Sequence, residues 1–142
     1  MGRILCLDVG ERRIGVAVSD EGQMLARGLG KIERNGSEVL KIQEFIQKYG
    51  VEAIVYGLPL RMDGSMSGQT EKTMAFISQI KSEISVPFIP FDERLSSQQA
   101  ERILLQADIS RQKRKRYIDK LSAQIILQNY LDSKGEIEVE EF

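Results

Sequence analysis

The sequence of 142 residues predicts an α/β fold, with a five-stranded mixed sheet flanked by helices. Three observations support this prediction. Short apolar runs separated by turn-forming residues fill the first third of the chain, as in a three-strand antiparallel meander. Further along, two apolar runs alternate with segments whose apolar residues recur at helical spacing. Strands joined through crossover helices are parallel, so we expect the last two strands to lie parallel to each other.

The meander strands are predicted at Arg3–Val9, Ile14–Ser19 and Met24–Ile32, with turns at 10–13 and 20–22. A helix with Val39, Ile42, Phe45 and Ile46 on one face should follow a cap within Asn35 to Ser37 and stop at Gly50. The later predicted elements are a strand at Ala53–Tyr56, a helix at about Glu71–Glu83 with Met74, Ile77 and Ile80 inward, a strand at Val86–Phe91, a helix capped by Ser96 or Ser97, and a last helix at about Arg114–Leu131.

Composition limits the class of protein. One domain over residues 1–134 with an acidic, mobile tail over 135–142 is expected, since a chain of this length buries roughly 70% of its unfolded surface. Histidine is absent and Cys6 is the single cysteine, which excludes a disulfide framework and a Cys/His zinc site. No apolar stretch approaches the ~18 residues of a membrane span, and the chain enters a strand without a signal-peptide pattern. We therefore expect a cytoplasmic protein.

Charge is unevenly distributed behind a net value of −1. Residues 94–120 contain eight basic residues against three acids, whereas residues 132–142 contain five acids and one lysine. Such asymmetry points to a polyanionic partner for the basic segment. The run Arg111-Gln112-Lys113-Arg114-Lys115-Arg116 is either a solvated helix face or a contact for nucleic-acid phosphates.

Three isolated acids occupy the ends of predicted core elements: Asp8 at the carboxyl end of the first strand, Glu93 just beyond the fifth, and Asp119 on the inward stripe of the last helix. The carboxyl ends of parallel strands share one edge, where open α/β sheets usually place ligands. The three carboxylates could converge there and bind Mg²⁺ or Mn²⁺, which suit phosphoryl chemistry. The alternatives are a turn former for Asp8, an ion pair with Arg94 or Arg12 for Glu93, and an ion pair within its own helix for Asp119.

Four sequence blocks resemble one known family. They are Leu7-Asp8-Val9-Gly10 with Arg13–Asp20, Gly57-Leu58-Pro59-Leu60 with Met62-Asp63-Gly64-Ser65, Asp92-Glu93-Arg94-Leu95, and Ile118-Asp119-Lys120 with Leu127-Gln128 and Leu131. Together they are similar to the YqgF/RuvX family of ribonuclease H-like nucleases, described as Holliday junction resolvase-like and as pre-16S rRNA processing nucleases. The likeness spans nearly the whole chain in the family's order.

The resemblance implies a ribonuclease H-like fold and a divalent metal held by Asp8, Glu93 and Asp119 as the catalytic triad. It implies a metal-dependent nuclease that acts on structured RNA, most simply the 5′ end of pre-16S rRNA in ribosome biogenesis. This sequence departs from the family at Ser96-Ser97, where threonines are common, and at Ser122, where an alanine is usual. Compared with the wider resolvase superfamily, it has no acid after the fourth strand, where Gly57 stands.

Candidate nucleic-acid contacts are Arg12, Arg13, Arg94, Lys113, Arg114, Lys115 and Arg116. The loop Arg61 to Gln69 is either an ordinary surface connection or a flap that contacts the substrate. A homodimer is possible.

Alternative functions remain open from sequence. They are a Holliday junction resolvase acting on branched DNA, a single domain related to actin-like and sugar kinases, and a non-catalytic nucleic-acid-binding factor in ribosome assembly.

Overall fold

Five strands form one mixed sheet in the order β3-β2-β1-β4-β5. The structure, a computed structural model, describes residues 2–93 and 121–134. The strands are β1 (Arg3–Val9), β2 (Arg13–Ser19), β3 (Ala26–Glu33), β4 (Val51–Leu58) and β5 (Phe88–Asp92). Strands β1, β2 and β3 pair antiparallel, whereas β4 lies parallel to both β1 and β5. The predicted combination of a meander and two parallel strands is confirmed.

The helices flank this sheet. They are α1 (Glu38–Tyr49), α2 (Gly68–Lys81) and α3, which covers residues 121–134. Helix α1 ends at Gly50, which adopts the left-handed conformation (φ 63°) and bonds back to the Ile46 carbonyl. Helix α2 begins with a reciprocal capping box between Ser67 and Thr70. No helix within 2–93 and 121–134 is long and apolar enough to cross a bilayer.

Some predicted boundaries were wrong, for identifiable reasons. Strand β3 begins at Ala26, because the Asp20 carboxylate accepts hydrogen bonds from the Met24 and Leu25 amides at 2.8 and 2.9 Å and holds both in the turn. The side chains of Met24 and Leu25 are exposed. Met74 on α2 was predicted to face inward but is 44% exposed.

On α2, the inward positions are filled by Thr70, Thr73, Phe76, Ile77 and Ile80. Because two of these residues are threonines, the spacing of apolar residues alone does not identify the buried face. Strand β4 extends two residues beyond its predicted range at each end, and β5 starts two residues late at Phe88 and ends at Asp92. Helix α2 begins three residues before its predicted start. The helix predicted from Ser96 or Ser97 and the tail at 135–142 lie outside the described residues.

The two faces of the sheet bury side chains of different size. Large aliphatic residues such as Leu5, Leu7 and Ile54 pack against α1 and α2. The opposite face packs against α3 through Ile4, Cys6, Ala17, Ala53 and Val55, of which three are small. Small side chains let a helix approach the sheet closely. Since successive residues of a strand face opposite sides, Asp8 follows Ile4 and Cys6 onto the α3 face.

Helix α3 is held to both edges of the sheet. At one edge, the Gln128 amide accepts a hydrogen bond from the Ala26 backbone N–H and donates one to the Met24 carbonyl, both at 2.9 Å. Gln124 accepts from the Gly28 N–H at 3.2 Å. At the β5 edge, the rings of Phe91 and Tyr130 meet edge to face at 5.8 Å.

Other contacts show which way α3 runs. Lys134, at its end, donates to Gln23 in the β2–β3 turn, whereas Ile126 lies beside Gly57 near the carboxyl end of β4. The described part of α3 therefore runs from the carboxyl edge of the parallel strands toward their amino edge.

Candidate active site

Asp8 and Glu93 occupy the carboxyl edge of the parallel strands on the α3 side. Asp8 is the sixth residue of β1 and pairs in register with Gly15 of β2. Glu93 directly follows β5, and its backbone N–H donates to the Leu58 carbonyl at 3.2 Å, which extends the β4–β5 ladder by one residue. Both side chains are half-buried. The parallel arrangement of β1, β4 and β5 thus brings together two acids that are far apart in sequence.

Gly57 makes room for the Glu93 carboxyl group. A Cβ atom at this position would overlap Glu93 Oε2, would lie 2.9 Å from Glu93 Cδ, and would be 3.1 Å from Ile126 Cδ1. Any larger residue would therefore displace the carboxyl group or α3. The sequence showed only that no acid follows β4 at this point. It contained no signal that the glycine accommodates an acid from the neighbouring strand.

The two acids share a desolvated environment. The pKa of Glu93 is raised from 4.5 to about 8, first by burial, then by the charge of Asp8, by a side-chain hydrogen bond with Asp8, and by the charge of Asp92. The pKa of the Cys6 thiol is also raised, by burial and then by the charges of Asp8 and Glu93. The Cys6 thiol therefore lies within electrostatic reach of the acid pair.

These residues fit a divalent cation. Glu93 Oε2 is buried, and the described residues offer it no hydrogen-bond partner. A buried carboxylate oxygen in that position is costly unless a cation compensates it. Oxygen donors alone suit Mg²⁺ or Mn²⁺. Within 2–93 and 121–134 no group of three His, Cys, Asp or Glu residues is arranged to hold a metal ion, and the third predicted ligand, Asp119, lies outside those ranges.

The predicted inward stripe of the last helix is borne out where it is described. Ala123 and Ile126 are buried against the sheet, and Tyr130 packs on the same cluster. Asp119 would continue this stripe toward the acid edge by helical spacing. Its position remains a prediction.

The predicted basic residues divide into two groups. Arg12 is exposed in the β1–β2 turn and Arg13 is half-buried at the start of β2. Arg94, Lys113, Arg114, Lys115 and Arg116 fall outside the described ranges. The turn that carries Arg12 is tight, because the Gly10 N–H donates to the Arg13 carbonyl at 3.0 Å and a Cβ on Gly10 would lie 2.7 Å from that oxygen.

Arg34 supports this turn and was not anticipated from the sequence. Its guanidinium donates to the Gly10 carbonyl at 2.9 Å and lies 4.4 Å from the centre of the Phe76 ring. Its backbone N–H donates to the Arg12 carbonyl at 3.0 Å. Arg34 thus ties the turn beside Asp8 to the end of β3 and to α2. An arginine after a strand has no periodic signature that would predict such contacts.

The comparison with a family model decides the relationship. The model described as "RuvX: Holliday junction resolvase" matches residues 2–133. The chain belongs to the RuvX family. It is 47% identical over 133 residues to a Desulforamulus reducens protein named "Putative pre-16S rRNA nuclease", covering 92% of this chain and 97% of the relative. A Thermoanaerobacter pseudethanolicus protein of the same name is 47% identical over 135 residues, covering 93% and 97%.

Solved structures share the fold of this RuvX member. Thermus thermophilus RuvC, in complex with Holliday junction substrate, superposes with a TM-score of 0.53 at 14% identity, covering 94% of this chain and 96% of RuvC. The Fowlpox virus resolvase in complex with Holliday junction DNA gives a TM-score of 0.55 at 12% identity, covering 92% and 97%. Because the sequence identities are this low, the likeness concerns the fold alone, and it confirms the ribonuclease H-like fold predicted from the sequence.

Proposed function

We propose that this RuvX protein is a metal-dependent endonuclease that hydrolyses phosphodiester bonds in structured RNA, with the 5′ end of precursor 16S rRNA as its substrate. The observation that carries the proposal is the pairing of Asp8 with the desolvated carboxyl group of Glu93 at the carboxyl edge of the parallel strands, where open α/β sheets usually place ligands. The names of relatives 47% identical over most of the chain support the choice of substrate. Processing of rRNA also fits a cytoplasmic protein.

Asp8, Glu93 and Asp119 would hold Mg²⁺ or Mn²⁺ in this proposal. When bound, such ions activate water as a nucleophile and stabilise the negative charge that develops on the phosphate. Without a cation, Glu93 retains its proton near neutral pH because its pKa is about 8. Cation binding must therefore release that proton, so the apparent affinity for metal rises with pH.

The basic residues would bind and orient the substrate backbone. Arg12 lies in the turn, three residues beyond the end of the β1 strand that carries Asp8, and Arg13 begins the next strand. Arg94 follows Glu93 directly, and the run from Lys113 to Arg116 precedes Asp119. Contacts from such residues to phosphates give affinity and register without reading base identity.

A cleavage assay with two substrates tests the proposal. One is an RNA containing the 5′ leader and the start of 16S rRNA, and the other is a four-way DNA junction, which the family description favours as the second candidate substrate. Each is incubated with Mg²⁺, with Mn²⁺ and with a chelator. We expect metal-dependent cleavage of the RNA. Cleavage of the junction alone would reverse the order of the two candidates, and binding without cleavage of either would leave a non-catalytic assembly factor.

Matched variants then assign the activity to the site. Asp8→Asn should abolish cleavage, whereas Glu44→Gln, at an exposed acid of α1, should not change it. The melting temperature of the wild type should rise with Mn²⁺, since a ligand that binds only the native state stabilises it. The rise should be smaller in Asp119→Asn. Equal rises in both proteins would place the cation elsewhere. Sedimentation of the same samples measures whether the protein forms the homodimer that the sequence left open.

A further inference from the structure

The loop between β4 and α2, residues 59–67, begins at the candidate active site. Its first residue, Pro59, follows Leu58, whose carbonyl accepts the Glu93 N–H at 3.2 Å. Gly57, one residue earlier, lies against the Glu93 carboxyl group. The loop, called here the β4–α2 loop, therefore leaves the sheet beside the acid pair and leads to α2.

Hydrogen bonds give the β4–α2 loop a defined shape. The Arg61 N–H donates to the Ser65 carbonyl at 2.9 Å, and the Gly64 N–H donates to the Arg61 carbonyl at 2.8 Å, which closes a turn in which Gly64 has a φ of 87°. The Asp63 carboxylate accepts from the Ser65 hydroxyl at 2.6 Å. At the base of the loop, the Thr70 hydroxyl donates to the Pro59 carbonyl at 2.8 Å. Side chains on the loop are therefore presented from an ordered backbone.

Two methionines are displayed on this ordered loop. Met62 is 65% exposed and Met66 is 47% exposed, and both core clusters of the described residues are built without them. Neither methionine therefore belongs to the core of the described residues. Their neighbours Arg61, Asp63 and Ser65 are exposed polar residues. The loop thus carries two exposed apolar side chains, one cation and one acid, and it leaves the sheet beside the Asp8–Glu93 pair.

We propose that Met62 and Met66 contact unstacked bases of the nucleic acid next to the cleaved phosphate, and so favour cleavage where a duplex meets a single strand. The proposal rests on the proposed nuclease function. Methionine is flexible and polarizable and packs well on aromatic faces. Apolar side chains, methionine among them, are used as wedges between base steps. Arg61 would hold the adjacent phosphate. A contact of this kind is tolerant of sequence, because every base presents an aromatic face.

A binding experiment with a matched control tests this inference. The full-length protein is titrated, with Ca²⁺ in place of Mg²⁺ to limit cleavage, into an RNA hairpin with a 5′ single-stranded extension and into a continuous duplex of equal length. A 2-aminopurine at the junction reports unstacking. The double variant Met62→Ser/Met66→Ser is compared with Met24→Ser/Leu25→Ser, which removes apolar side chains of 72% and 69% exposure at the opposite edge of the sheet.

The loop variant should lose about ten-fold in affinity for the junction RNA, and less than two-fold for the duplex. It should also lose the 2-aminopurine signal, while Met62→Leu/Met66→Leu retains both. The control pair should behave as the wild type. Equal losses on both RNAs, or no loss on either, would overturn the wedge while leaving metal-dependent cleavage, and with it the proposed function, intact. A change in sedimentation of the loop variant without a change in RNA binding would assign the methionines to a protein contact and would equally overturn it. If the wild type cleaves neither candidate substrate, the proposed function fails first.

Discussion

Replacing Glu93 by Gln should stabilise the metal-free protein in a way that depends on pH, while removing its activity. The wild-type carboxyl group has a pKa of about 8 in the folded state against 4.5 as its ordinary value. Between these values the folded protein holds a proton that the unfolded chain has released. The stabilisation that this proton contributes is therefore fully present below pH 4.5 and is lost as the pH rises through 8. Glutamine is neutral at every pH, and its amide can donate to Asp8 as the protonated carboxyl group does.

The size of the effect follows from the two pKa values. Each pH unit between them costs the wild type about 1.4 kcal/mol of unfolding free energy. Relative to the wild type, Glu93→Gln should be slightly more stable at pH 5 and more stable by on the order of a few kcal/mol at pH 7, with the largest difference at pH 9. Activity should fall to background, because the amide cannot serve as an anionic ligand.

Urea denaturation with a chelator present, at pH 5, 7 and 9, measures these differences. Glu44→Gln, the same chemical change at an exposed site, controls for the substitution itself. A difference between wild type and Glu93→Gln that is constant across the three pH values would refute the reasoning, as would a variant that is less stable at pH 9. With saturating Mn²⁺ instead of chelator, the advantage of the variant should shrink, since the cation stabilises only the wild-type site.

Three further predictions follow from individual contacts. Gly57→Ala should push the Glu93 carboxyl group aside, because the atoms that a Cβ would meet are the end of that side chain. The free energy of unfolding should fall by about 1 kcal/mol, the lower end for overpacking, and the cleavage rate should fall at least ten-fold. Unaltered kinetics would contradict the described geometry. Gln128→Ala should cost about 1–3 kcal/mol in urea denaturation, since the Ala26 N–H and the Met24 carbonyl lose their partner; Gln128→Glu should recover part of this loss, and an unchanged midpoint for the alanine variant would argue against the contact. Changing Lys113 and Arg114 to Ala should flatten the slope of log affinity against log salt by about 0.7 to 0.9 per phosphate contact, and an identical slope would make the run a solvated face.

The sheet and the meeting of two acids were predictable from sequence because both depend on alternation and topology. Apolar runs located all five strands, and parallel strands necessarily align their carboxyl ends, which placed Asp8 near Glu93. The buried face of α3 that contains Ala123 and Ile126 was equally predictable, since burial on a helix repeats with a fixed period. Errors arose where a polar residue fills a core position, as Thr73 does while Met74 points outward.

Contacts without a period could not be predicted. Gly57 is required because a carboxyl group from another strand occupies the space of its Cβ, a relation that exists only after β4 and β5 pair. Gln124 and Gln128 bond to backbone groups 96 and 102 residues away. The role of Arg34 likewise depends on where Gly10 and Phe76 come to lie. Long-range hydrogen bonds between side chains and backbone leave no pattern in the local sequence.

The glutamines of α3 have a consequence for how the chain is made. Strand β3 lies at the margin of the sheet, and an open margin can recruit a strand from another molecule. Gln124 and Gln128 accept hydrogen bonds from the backbone N–H groups of Gly28 and Ala26, so part of this margin is satisfied by residues that are synthesised about a hundred positions later. During translation the meander must wait with that margin open until the last helix emerges. Truncation before residue 124 should therefore leave these amides without their partners and favour self-association of the sheet.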